Sequence, residues 1–143
     1  MSTYDLEVWT IAPDGEMIAS AGTGGRVKGI KKVVQRYFIA LLQDLNPDKP
    51  SCGRRQPYGS GFLHTMRAGE MRTEMDVLSS FNLAKVQVRM ALQDEETDDD
   101  PDDERFTNSS LNKIEITPGI MKLHIRITTR TDSIDVIFPI STE

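Results

Sequence analysis

An α+β fold is predicted for this chain: an N-terminal β-hairpin, two or three helices, and a C-terminal three-stranded antiparallel sheet. Three observations predict it. From Ile30, large apolar residues recur as Val33, Val34, Tyr37, Phe38, Leu41, Leu42 and Leu45, the i, i+3, i+4, i+7 spacing of one buried helical face. Residues 70–93 contain no proline or glycine, and Val77, Phe81, Ala84, Val88 and Ala91 or Leu92 mark a second stripe of the same kind. Over 121–127 and again over 134–140 the apolar period is two, the repeat of a half-buried strand.

In chain order, residues 6–12 are rich in β-formers, Pro13-Asp14-Gly15 supplies a turn and Met17-Ile18-Ala19 a short return, which together predict the hairpin. The glycine-rich stretch 22–29 leads into the first helix. It lacks the lysine of a nucleotide-binding loop, because Ile30 follows Gly29, and no apolar strand feeds it, so it reads as a linker. The helix is expected over 30–45, where Asn46-Pro47 stops it.

A polar loop then reaches Pro57-Tyr58-Gly59-Ser60-Gly61-Phe62, read as a fixed structural turn in which two glycines free the backbone while Tyr58 and Phe62 anchor it to a core. Between 70 and 93 the sequence permits one helix or two, since Ser80 is a suitable cap for a fresh start. Strands are expected over 111–117, 120–129 and 133–140, with turns at Pro118-Gly119 and Thr131-Asp132. On the middle strand Met121, Leu123, Ile125 and Ile127 share one face and Lys122, His124, Arg126 and Thr128 the other. On the last strand Ile134, Val136, Phe138 and Ile140 share a face, while Ile137 lies opposite, between Asp135 and Pro139, and points to partial covering of the polar side.

The length, 143 residues, suits a single domain over 1–143 that buries roughly two-thirds of the surface its unfolded chain exposes. No basic-then-apolar leader and no apolar run near the ~20 residues that cross a bilayer is present, so we expect a soluble protein made in the cytoplasm with no membrane partner. The net charge of −5 hides an asymmetry, because residues 94–104 hold nine acids and no base; with those nine taken from 22, 13 acids remain against 17 bases. The acidic segment is read as a flexible insertion at 94–105 on a mildly basic body. No Lys/Arg cluster interleaves with aromatics, so nucleic acid is not an expected partner.

Chemistry is sparse. Cys52 has no second cysteine to pair with, and His64 and His124 lie too far apart for a metal-ligand spacing, so neither metal nor cofactor is expected. The acidic run lacks the sixth-position glycine of a calcium loop. Ser60 fails the nucleophile-elbow pattern because Tyr58 stands where its first glycine belongs. Glu70, Glu74 and Asp76 are the only acids placed to suggest a glycoside-cleaving pair, and Arg67 and Arg72 beside them favour ordinary surface pairing. No catalytic residue is assigned, and the chain is expected not to be an enzyme.

The order of these parts resembles the sheath-initiator proteins of contractile phage tail baseplates, the wedge family historically labelled lysozyme-like. The match lies in the Asp/Gly turn Pro13-Asp14-Gly15, the helix from Ile30, the element Gln56-Pro57-Tyr58-Gly59-Ser60-Gly61-Phe62, and the helix and small sheet that follow. One departure is the long acidic run, where the family has a Glu-Pro-Arg-like corner and this chain keeps only Pro101 and Arg105. The resemblance implies a virion baseplate component assembled in the host cytoplasm, with about six copies around the tail axis. Its partners would be the tail sheath protein and other baseplate wedge and hub or tube proteins. It implies strand exchange on the C-terminal sheet, with Leu123, Ile125, Ile127, Ile134, Val136, Ile137 and Phe138 as the partner-binding residues, so that charges at Ile134 and Val136 would block sheath polymerisation. Two alternatives accompany it: a peptidoglycan-cleaving enzyme, as the old label suggests, and an adaptor in a non-contractile tail.

Overall fold

The structure is a computed structural model and describes residues 5–6, 9–19, 26–43, 60–67 and 73–141. Its elements are β1 (Asp5–Leu6), β2 (Trp9–Ile11), β3 (Met17–Ala19), β4 (Arg26–Val27), α1 (Ile30–Leu42), α2 (Phe62–Arg67), α3 (Glu74–Glu95), a 3-10 turn (Asp102–Glu104), β5 (Phe106–Thr117), β6 (Ile120–Thr129) and β7 (Ser133–Ser141). The expected α+β class is what forms, with helices preceding a three-stranded antiparallel sheet in the order β5-β6-β7. The chain divides into two compact units, residues 1–35 with 97–143, and residues 36–96.

Helix α1 buries Val33, Val34, Tyr37, Phe38 and Leu41, the predicted stripe. Burying each such side chain stabilises the fold by about 1.5–3 kcal/mol, which outweighs the modest helix propensity of the two valines. The helix ends at Leu42, three residues before the expected boundary, and its closing carbonyls are taken by Ser60: the Ser60 hydroxyl donates to the Leu41 carbonyl at 2.7 Å and the Ser60 amide to the Gln43 carbonyl at 2.9 Å. Those donors satisfy groups that every helix end leaves unpaired. Leu45 and the Asn46-Pro47 breaker lie outside the described residues.

Helix α3 is one 22-residue helix that passes through Ser79 and Ser80 without a break. Its start is fixed upstream, at Thr73, by a capping box: the Thr73 hydroxyl accepts from the Asp76 amide at 3.2 Å and the Asp76 carboxylate accepts from the Thr73 amide at 3.1 Å. With that cap in place, Ser80 has no helix to begin. Val77, Phe81, Ala84, Val88, Ala91 and Leu92 are all buried, and the Phe62 ring of α2 meets Phe81 edge-on with centroids 6.4 Å apart.

At the N-terminus, β2 and β3 form the expected hairpin, in the register Trp9↔Ala19, Thr10↔Ile18, Ile11↔Met17. A second small ladder, β1 with β4, was not predicted; it pairs Asp5 with Val27 and Leu6 with Arg26, too short a run to leave an alternation signal. Gln35 of α1 accepts the Trp9 amide through Oε1 at 3.3 Å. The acidic segment expected as an insertion starts as the last turn of α3 and makes local contacts: Arg105 donates to the carbonyls of Asp100 and Thr97, at 3.1 and 2.7 Å, and the Thr97 amide donates to the Asp100 carboxylate at 3.0 Å.

Candidate partner-binding edge of the C-terminal sheet

The sheet is built from alternation corrected by bulges. In β6, Met121, Leu123, Ile125 and Ile127 are buried, opposite Ile140, Phe138, Val136 and Ile134 of β7. The β5 sequence is out of phase with this, since Leu111 and Ile114 are three apart and would face opposite sides of a regular strand. A register shift between Leu111 and Lys113 adds one residue, and both Leu111 (opposite Ile125) and Ile114 (opposite Leu123) then join the apolar face. A second shift, between Phe106 and Asn108, brings Phe106 onto that face, where it is buried. The strand therefore begins at Phe106, five residues before the expected start, in a polar stretch with no period to read.

The other face is a ladder of charges. Arg126 donates to both oxygens of Asp135, from Nε at 3.0 Å and from Nη2 at 3.3 Å, which holds the guanidinium above its ordinary range. Glu115 lies 3.1 Å from Lys113 and 3.3 Å from His124, and the hydrogen bonds from these two, Lys113 first, hold its carboxyl below the usual carboxylate range. Lys122 reaches Glu16 at 3.5 Å.

The two borders of the sheet differ. Along β7, the Ile137 amide donates to the Gly15 carbonyl at 2.8 Å, and Glu16 makes a parallel bridge to Ile137. Gly15 sits at φ 92°, and a Cβ there would lie 3.0 Å from the Asp135 carbonyl, so the hairpin turn reaches this border because the residue is glycine. Backbone groups of alternate strand residues point the same way, so Pro139, two on from Ile137, also turns its nitrogen outward and has no N–H to offer. The border of β7 is thus occupied by the hairpin and blunted by a proline. This contact also accounts for the half-buried Ile137, which the alternation left on the polar face.

The same parity fixes the other border. Since the Ile137 backbone points away from β6, its opposite number His124 points toward β5, where it faces Lys113. The Thr129 amide, donating to the Asp132 carbonyl at 2.8 Å on the β7 side, has the parity this requires. Lys113, Glu115 and Thr117 therefore bond inward to β6, and Ile114 and Ile116 turn their N–H and C=O groups outward. Among the described residues no strand lies along that border. Ile116 is 49% exposed although its cross-strand neighbour Met121 is 2% exposed, so the apolar face runs out unfinished at β5.

Of the partner-binding residues expected from the sequence, Leu123, Ile125, Ile127, Val136 and Phe138 are buried, and Ile134 and Ile137 are half-buried. The side chains of all but Ile137 complete the sheet's own core, so a charge at Val136 would cost core stability before it tested any partner. Among the described residues the backbone left without a neighbouring strand is on β5, a strand that the site expectation did not include. Its signal in the sequence was the three-residue spacing of Leu111 and Ile114.

Ser60, Gly61 and Phe62 form the turn that was read as structural: Ser60 and Phe62 are buried, and the Gly61 amide donates to the Gln87 side-chain oxygen at 3.0 Å. Pro57, Tyr58 and Gly59 lie outside the described residues, as do Cys52 and Glu70. Asp76 is engaged in the cap of α3, and Glu74 is exposed in its first turn. Helix α3 also carries an apolar set that its predicted stripe omitted, Met75, Leu83, Val86 and Met90, exposed by 69, 71, 54 and 43%. No helix among the described residues is long and apolar enough to cross a membrane.

These residues define an α+β chain whose terminal sheet is met by the hairpin along one border and, among the described residues, has no strand along the other. Comparisons with protein-family models, with curated proteins and with solved structures return no match.

Proposed function

We propose that this chain is a non-enzymatic baseplate protein of a contractile phage tail, which nucleates the sheath by accepting an extended sheath arm as an added strand. The observation that carries the proposal is the border of β5, unpaired among the described residues, in a chain whose order of parts resembles that of sheath initiators. Added strands bind through backbone hydrogen bonds worth about 0.5–1.5 kcal/mol each, offset by ordering of the arm, so a single joint is weak. Copies arranged in a ring make the same joint strong through multivalency. The exposed Met75, Leu83, Val86 and Met90 of α3 supply an apolar surface of the kind that other wedge or hub proteins would cover.

The test is seeded assembly. Purified sheath protein from the same genome is mixed with this protein, and polymer growth is followed by light scattering and electron microscopy. Growth without the lag seen for sheath protein alone supports the proposal, and an unchanged lag at every ratio contradicts it.

A further inference from the structure

We infer that the strand is accepted on β5 and not on β7, and that its register is set by the outward backbone groups of Ile114 and Ile116. The border of β7 offers an outward donor at Asp135, but at Ile137 the donor is already bonded to Gly15 and at Pro139 there is none. Among the described residues the border of β5 has no such defence beyond its bulge, and that bulge lies at Asn112, before the regular stretch from Lys113 to Thr117.

The occupant is an extended segment of another polypeptide. The two isoleucines present alternate N–H and C=O groups along one border, the array that pairs with a strand. An incoming residue opposite Ile116 falls on the apolar face, beside a side chain that is half exposed, so the segment carries apolar residues at alternate positions there. On the other face Lys113 and Glu115 already neutralise each other at 3.1 Å, so its intervening positions are polar and need no net charge. That the segment is a sheath arm rests on the proposed function; the choice of border rests on geometry alone.

Binding of purified sheath protein is measured for the wild type, Ile116→Pro and Asp135→Pro, each checked for folding by circular dichroism. Proline at 116 deletes an outward donor without touching the β5–β6 ladder, and weakens binding by about tenfold or more, while proline at 135 leaves it unchanged. Loss with Asp135→Pro and not with Ile116→Pro overturns the assignment. A concentration-dependent dimer of the protein alone that Ile116→Pro abolishes also overturns it, since the occupant is then a second copy. If the wild type binds no sheath protein, the sheath reading is wrong, and amide exchange in the wild-type protein alone decides the border: Ile114 and Ile116 exchange fast while Glu115 is protected. Equal protection of all three overturns the inference, and the same measurement stands in should Ile116→Pro fail to fold.

Discussion

The Ile137 amide donates to the Gly15 carbonyl at 2.8 Å, joining the N-terminal hairpin to the outer border of β7. Through strand parity this one bond also fixes which groups β5 turns outward. Gly15→Ala tests its basis. A side chain at φ 92° costs about 1–2 kcal/mol, and its Cβ would press on the Asp135 carbonyl at 3.0 Å. Chemical denaturation should show a loss of that size, with faster exchange at the Ile137 amide. A wild-type exchange rate at Ile137 would mean that the contact does not depend on the glycine.

Lys32 and Glu104 form an ion pair of 2.7 Å with each side chain 3% exposed. Removing one partner leaves the other charge buried, so Glu104→Gln should destabilise the protein by about 3–5 kcal/mol. The double variant Lys32→Met, Glu104→Leu should recover most of that loss, because apolar groups of similar size need no compensation. Equal losses for the single and double variants would show that packing, and not charge, is at stake.

The Ser60 hydroxyl donates to the Leu41 carbonyl at 2.7 Å and accepts from the Phe62 amide at 3.3 Å, in a fully buried position. Ser60→Ala strands both partners and should lower stability by about 1–3 kcal/mol, read from the urea midpoint. No change would mean that water or another group replaces the hydroxyl.

Glu115 yields a pH prediction. Its folded pKa lies below the ordinary 4.5, so its contribution is complete above 4.5 and disappears as pH falls through the lower folded value. Thermal melts of wild type and Glu115→Gln should differ at pH 6 and converge in strong acid. The group is exposed, so added salt should narrow the difference at pH 6. A gap that persists in acid would assign the effect to packing.

Periodicity made the strongly patterned elements legible. The stripes of α1 and α3, the alternation of β6 and β7 and the Pro13-Asp14-Gly15 turn each follow from a repeat within a few residues. The polar start of β5 escaped because Thr107 to Ser110 carry no apolar signal, and Asn108 to Ser110 are held by pairing across to β6. The β1–β4 ladder is two residues long on each side. Buried Lys32 was invisible because its partner, Glu104, lies 72 positions away in a run that reads as solvated. Which border the hairpin meets depends on Gly15 reaching Ile137, a contact between segments that composition cannot foresee.

The most direct measurement is a reconstruction of the assembled tail by electron cryomicroscopy at side-chain resolution. We predict an extended segment of a sheath subunit running along β5, bonded to the backbone of Ile114 and Ile116, with β7 still bordered by Gly15 and Glu16. A sheath strand on β7, or a β5 border that faces only solvent in the finished tail, would contradict it.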